Sequence, residues 1–208
     1  MQDPDWLRWA REIQAIAQTG LAYNPPLYDR ERYEALRDLA ARITAAHTGL
    51  AAADLVALFA AETGYATPKV DVRGAAFRDG RLLLVREIAD QHRWTLPGGW
   101  ADVNLTPAEN ITREMHEETG FTVRPTRLAA VLDRSRQGHT PAPFYAYKLF
   151  FLCEITGGVA TLSSETSEIA FFAEDALPPD LSIDRVTPRQ LALMFAHARD
   201  PARSTDFD

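Results

Sequence analysis

The chain has 208 residues, 46% of them hydrophobic and 25% charged, a size and balance that suit one domain of ordinary length with a smaller one attached. Its formal net charge of −7 speaks against a nucleic-acid surface, which needs a basic face, and leaves binding of a divalent cation open. A lone cysteine, Cys153, excludes an internal disulfide framework and a cysteine zinc site; no window is apolar enough to span a bilayer, so the expected location is the cytoplasm, without membrane or DNA partners.

Residues 1–66 read as a small all-α domain. Trp6, Trp9, Ile13 and Ile16 follow helical spacing, as do Tyr33, Leu36, Leu39 and Ile43, and "AAADLVALFAAETG" predicts a third helix ending near Gly64. Pro25 and Pro26 break the first helix from the second. Six arginines against nine acids leave this stretch at about −3, whereas a helix-turn-helix DNA reader is basic. Three short helices make a thin core, so part of their apolar surface is expected to meet another domain or subunit.

From residue 67 to 208 the periodicity is that of an α/β domain. Val70 and Val72 alternate with polar residues, Asp79-Gly80 reads as a turn and "RLLLV" as a buried strand, which predicts an opening hairpin. Further strands are expected over 122–133, 144–156 and 168–173, and helices over 107–119 and 188–198, each helix led by Thr-Pro. Cys153 reads as a small core residue, His139 as a surface histidine in a polar loop and "DPARSTDFD" as a loose tail.

The segment "TPAENITREMHEETGF", 106–121, gathers acid where a helix disfavours it. Thr106, Pro107 and Glu109 form a capping-box start, and Gly120 suits a left-handed stop, so Glu117 and Glu118 fall in the last turn. There the macrodipole costs a carboxylate about 0.3–1 kcal/mol. At 100° per residue Glu114, Glu117 and Glu118 share one face, and mutual repulsion calls for a cation. Clustered hard oxygens suit Mg²⁺ or Mn²⁺. Arg113 can neutralise one carboxylate, and the Gly98-Gly99 loop upstream lets the backbone approach a ligand, with a carbonyl such as that of Gly98 as a further metal ligand.

"GGWADVNLTPAENITREMHEETGF" resembles the box of the Nudix hydrolases, with Gly99 as the box glycine and Arg113, Glu114, Met115, Glu117, Glu118 and Gly120 on the pattern. It departs where Leu105 replaces the first box glutamate; Asp102 is the nearest acid able to compensate. The resemblance implies an α/β/α sandwich with a mixed sheet, and a Mg²⁺-dependent pyrophosphohydrolase, with Mn²⁺ as a substitute. Under it Glu117 and Glu118 are metal ligands, Glu114 is a further ligand or the group that positions water, Arg113 orients a box glutamate, and Glu165 or Glu168 supplies a later acid.

The helical extension, "RWTLPGGWADVN" and "PFYAYKLFFLCEITGG" are together similar to the Nudix branch acting on nucleoside diphosphates linked to X, such as CDP-choline and ADP-ribose. That branch implies a homodimer held by the N-terminal helices. Arg86 and Arg93 are candidate phosphate clamps, since guanidinium pairs bidentately with phosphate, and Tyr145 is a candidate for base stacking. The alternative from another class is a non-catalytic Nudix-fold nucleotide sensor that regulates a partner; Leu105 favours it and the three intact glutamates oppose it.

Overall fold

A computed structural model of the chain describes residues 3–208, which form two compact units. The smaller holds the chain up to Pro68 together with Pro141–Tyr145, and the larger holds Lys69–Thr140 and Ala146–Asp208. Among the described residues no helix is long and apolar enough to cross a membrane.

In the smaller unit, α1 (Asp5–Ala22), α2 (Leu27–Thr48) and α3 (Ala52–Ala61) pack around Ala40, Ala41, Leu55 and Phe59. The inward face of α1 is Leu7, Ala10 and Ala17 rather than the aromatic stripe expected from spacing: Trp9 and Ile16 are 61% and 53% exposed. Small residues win these positions because the helices cross closely; a Cβ on Gly20 would lie 2.4 Å from the Tyr33 ring. Trp6 stacks on His47, with ring centroids 4.5 Å apart. α3 stops before Gly64 because the backbone is already extended at Glu62. The 141–145 segment is held by Arg11, whose Nη2 donates to the Ala142 carbonyl at 2.5 Å and whose guanidinium lies 5.6 Å from the Tyr145 ring centre.

The larger unit opens with the hairpin β1 (Lys69–Arg78) and β2 (Arg81–Glu87), turned at Asp79 and Gly80, both at positive φ as a tight hairpin turn requires. β3 (Arg93–Thr95), α4 (Pro107–Thr119), β4 (Phe121–Asp133), β5 (Ala146–Gly158), β6 (Thr166–Phe172), α5 (Pro188–Arg199) and β7 (Asp206–Phe207) follow. β5 starts two residues later than expected, so Phe144 and Tyr145 lie outside it; Pro141 and Pro143 cannot donate to a ladder.

β1 pairs parallel with β5, β5 antiparallel with β4, and β4 parallel with β7, making a mixed sheet. β2 leaves β1 just beyond the hairpin and pairs antiparallel with β3 and β6. α4 covers one face, burying Ile111 and Met115 against Val72, Ala76, Phe121 and Phe151. α5 covers the other, burying Leu191, Met194 and Phe195 against Ala75, Leu84, Leu96 and Phe150. The expected α/β/α sandwich follows.

The tail corrects the expectation of a loose end. Arg127 on β4 donates to the carbonyls of His197, Pro201 and Arg203 at 2.6, 2.7 and 3.0 Å, and Thr205 Oγ1 donates to Leu128 O at 2.8 Å. His197, fully buried, meets Asp206 at 2.8 Å. A guanidinium facing several chain-end carbonyls offsets their desolvation, and a composition-based reading of the tail misses that contact.

Candidate active site

α4 is fixed at both ends. Thr106 Oγ1 accepts from Glu109 N at 3.2 Å, Glu109 Oε2 accepts from Thr106 N at 2.7 Å, and Gly120 takes the left-handed stop at φ 73°. Asn110 clasps the preceding loop, accepting from Asp102 N at 2.8 Å and donating to Asp102 O at 3.2 Å.

The glycine loop lies against β1. Gly74 N donates to Pro97 O at 2.9 Å, Val72 N to Gly99 O at 2.8 Å and Ala101 N to Val70 O at 2.9 Å. A Cβ on Gly98, at φ 134°, would fall 2.0 Å from Val72 O; one on Gly99 would fall 2.9 Å from Glu114 Oε2. Only glycines let the strand and the carboxylate approach from the two sides.

Gly98 contributes its N–H, which donates to Glu118 Oε2 at 2.8 Å. Glu118 is 6% exposed, and burial pushes its carboxyl up to about 8. Arg73 and the Gly98 amide oppose that rise, while Glu114 and Glu87 reinforce it. Glu114 is raised as well, by burial first, against the pull of Arg113 and with help from Glu117 and Glu165. Arg113 donates from Nη2 to Glu114 Oε1 at 2.9 Å and pairs through Nη1 with Asp102 at 2.8 Å. Asp102 is thus the partner of Arg113.

The donor set fits a divalent cation. Three carboxylates lie within one turn of α4, and two are held back from ionising by burial first and by neighbouring carboxylates second. Among the described residues no three acidic or imidazole side chains already converge on one point. Glu118 is turned to the Gly98 amide and Glu114 to Arg113. Leu105, in place of the first box glutamate, is exposed and adds no donor.

The later acids separate. Glu165 lies within electrostatic reach of Glu114, and its neighbour Thr166 donates to the Glu118 carbonyl at 2.9 Å. Glu168 alternates with Ile169 and Phe171, which pack on the α4 side, so it faces the other way and is held by Arg86 at 3.3 Å. Arg86 also pairs with Asp180 at 3.0 Å and donates to His92 O, so its charge is met by carboxylates. Arg93 donates to Gln91 Oε1 at 3.1 Å. Arg86 and Glu168 are thus partners of each other, Arg93 is a partner of Gln91, and Tyr145 belongs to the helical unit.

Three buried ions escaped sequence reasoning. Asp71, Arg73 and Lys148 are 5%, 4% and 2% exposed. Asp71 and Arg73 alternate with Val70 and Val72, and both faces of β1 are covered here. Burial opposes ionisation of Asp71, yet Arg73 and Lys148 outweigh it and hold the carboxyl at about 2. His139 is also buried rather than on the surface: its Nδ1 meets Ile183 O at 2.6 Å, and burial pushes it down to about 4.

Residues 67–192 match the family model of the NUDIX domain, more than half of the chain. The chain belongs to the Nudix hydrolase family. Residues 4–59 match a second model, described as a UDP-X-like N-terminal oligomerisation domain. The chain is similar to the putative ADP-ribose pyrophosphatase YjhB of Bacillus subtilis, 47% identical over 203 residues, covering 98% of this chain and 97% of that one. Among solved structures, a UDP-X diphosphatase covers 100% of both chains at 33% identity with a TM-score of 0.63. An ADP-ribose pyrophosphatase from Streptococcus suis covers 68% of this Nudix chain and 100% of its own at 38% identity, with a TM-score of 0.62.

Proposed function

We propose that this Nudix protein is a pyrophosphohydrolase, dependent on Mg²⁺ or Mn²⁺, that splits the diphosphate of a nucleoside diphosphate linked to X, giving a nucleoside monophosphate and phosphorylated X. The observation that carries the reading is the buried Glu118 held by the Gly98 amide next to Glu114, two carboxyls whose ionisation burial opposes and a bound cation would favour. ADP-ribose and UDP-linked compounds lead the candidate substrates, because the relatives that span the whole chain bear those names.

Glu114, Glu117 and Glu118 would hold the cation. When bound it supplies charge neutralisation for the diphosphate oxygens and acidifies a water. The protein's own part is to fix Glu118 through the Gly98 N–H, to hold Glu114 with Arg113, and to place Glu165, an acid from outside α4, within electrostatic reach of Glu114. Leu105 is the feature that favours a nucleotide sensor without turnover. Alkaline phosphatase separates the two readings, since it releases phosphate from the monoester products and not from an intact diester-type diphosphate. Phosphate release that requires Mg²⁺ or Mn²⁺ and disappears in Glu118→Gln supports the hydrolase; nucleotide binding with no release supports the sensor.

The helical domain is read as the seat of a homodimer. The support is its match to an oligomerisation domain and the large apolar side chains it exposes, among them Trp9, Ile16, Tyr23 and Tyr28. Light scattering on the full chain and on Trp9→Glu/Ile16→Glu tests this: a dimer that becomes a monomer supports it, and a monomeric wild type refutes it.

A further inference from the structure

The ions buried between β1 and β5 do not form a simple pair. Asp71 stands directly across from Lys148 in the parallel register, and its Oδ1 accepts from Lys148 Nζ at 2.5 Å. Arg73, two residues along β1, grips both oxygens of Asp71, with Nε at 3.0 Å from Oδ1 and Nη2 at 2.8 Å from Oδ2. Two cations therefore share one anion in the interior, an arrangement that is costly without further partners.

The remaining arm of Arg73 supplies one. Its Nη1 donates to the Leu96 carbonyl at 3.0 Å, immediately ahead of the glycine loop. From Pro97 to Gly99 the loop is held by backbone bonds to Gly74 and Val72, the residues on either side of Arg73. At its centre Gly98 N–H grips Glu118 Oε2 at 2.8 Å. Arg73 is thus a side-chain clamp at the entry to a loop that main-chain bonds and the Glu118 carboxyl hold further on, and its charge acts on both Glu118 and Glu114. Lysine has neither the fork for Asp71 nor the spare arm for Leu96 O.

We propose that Arg73 is a positioning residue for the Nudix reaction: braced by Asp71, its guanidinium fixes the Leu96 carbonyl and hence the Gly98 amide that presents Glu118, and it stands as the resident counter-charge of the α4 glutamates. The inference rests on Glu118 serving the metal, as argued above.

The test uses the full chain and the variants Arg73→Lys, which keeps the charge and loses the fork, and Asp71→Asn, which keeps Arg73 and weakens its brace. Mn²⁺ binding is followed by electron paramagnetic resonance of the free ion, alongside kcat, KM and melting temperature. In Arg73→Lys, kcat is expected to fall about 100-fold, the scale of a small misplacement at a reacting centre, with KM little changed and Mn²⁺ bound more weakly. Asp71→Asn is expected to change both in the same direction by less. Wild-type kcat and Mn²⁺ affinity in a folded Arg73→Lys protein overturn the proposal. So does a loss that only follows the melting temperature and vanishes when the assay is cooled, since that is a structural role. Glu118→Gln is run in parallel: if it binds Mn²⁺ and turns over like wild type, the metal-site reading itself fails and this proposal with it. A defect in Glu118→Gln with none in Arg73→Lys isolates the failure to Arg73.

Discussion

Replacing Glu118 by glutamine in the metal-free protein isolates the proton held at the site. Burial holds the Glu118 carboxyl at about 8, against an ordinary 4.5. The folded state therefore keeps a proton that the unfolded chain releases, so stability is full below the unfolded value and falls as pH rises towards 8. His139 acts with the opposite sign at lower pH: held neutral down to about 4, it contributes stability that is lost as pH drops from 6.5 to 4. Lys148, pushed down by burial to about 8, enters only above the same window. Between pH 6.5 and 7.5 Glu118 dominates, and one extra bound proton corresponds to a slope of about −1 kcal/mol per pH unit. Urea denaturation in EDTA, followed by fluorescence of the buried Trp94 in the Nudix domain, measures it. Wild type is expected to lose about 1 kcal/mol across the window relative to Glu118→Gln, and saturating Mg²⁺ is expected to abolish the difference in slope. Parallel curves for the two proteins without metal would refute the argument that the folded state holds this proton.

Gly98→Ala is expected to cost several kcal/mol and abolish turnover, because its Cβ would meet Val72 O at 2.0 Å in a backbone conformation at φ 134°; chemical denaturation and the phosphatase-coupled assay check both. Cys153, buried and with its thiol pushed up to about 12, is expected to resist a thiol reagent in the folded protein and to react once urea unfolds it. Arg127→Ala is expected to release the segment after Asp200, costing about 1–3 kcal/mol and opening it to limited proteolysis, with mass spectrometry locating the cut.

What was legible in the sequence is what short-range physics decides. The capping box at Thr106 and Glu109, the left-handed stop at Gly120 and the Asp79-Gly80 turn each depend on residues within a few positions, and each is present. The glutamate face of α4 follows from helical period alone. What was missed depends on partners far along the chain. The burial of Asp71 and Arg73 arises only when β5, more than 70 residues later, pairs beside β1 and α5 covers the layer. The carboxylate partner of Arg86 likewise comes from far along the chain, since the β2–β6 register sets Glu168 directly across from it. In the helical domain the spacing of Trp9 and Ile16 is genuine, but alanines take the inward face because the helices pack closely, leaving the large side chains outward.

The most direct test of the central claim is phosphorus NMR of ADP-ribose, a UDP-sugar and CDP-choline, each incubated with the protein and Mg²⁺ in partly ¹⁸O-labelled water, with Glu118→Gln as control. The account predicts that the diphosphate doublets of at least one substrate give way to two monophosphate signals, one carrying the ¹⁸O shift, and that the variant and EDTA samples stay unchanged. Intact diphosphate signals in every wild-type sample, with Mg²⁺ or Mn²⁺ present, would contradict it.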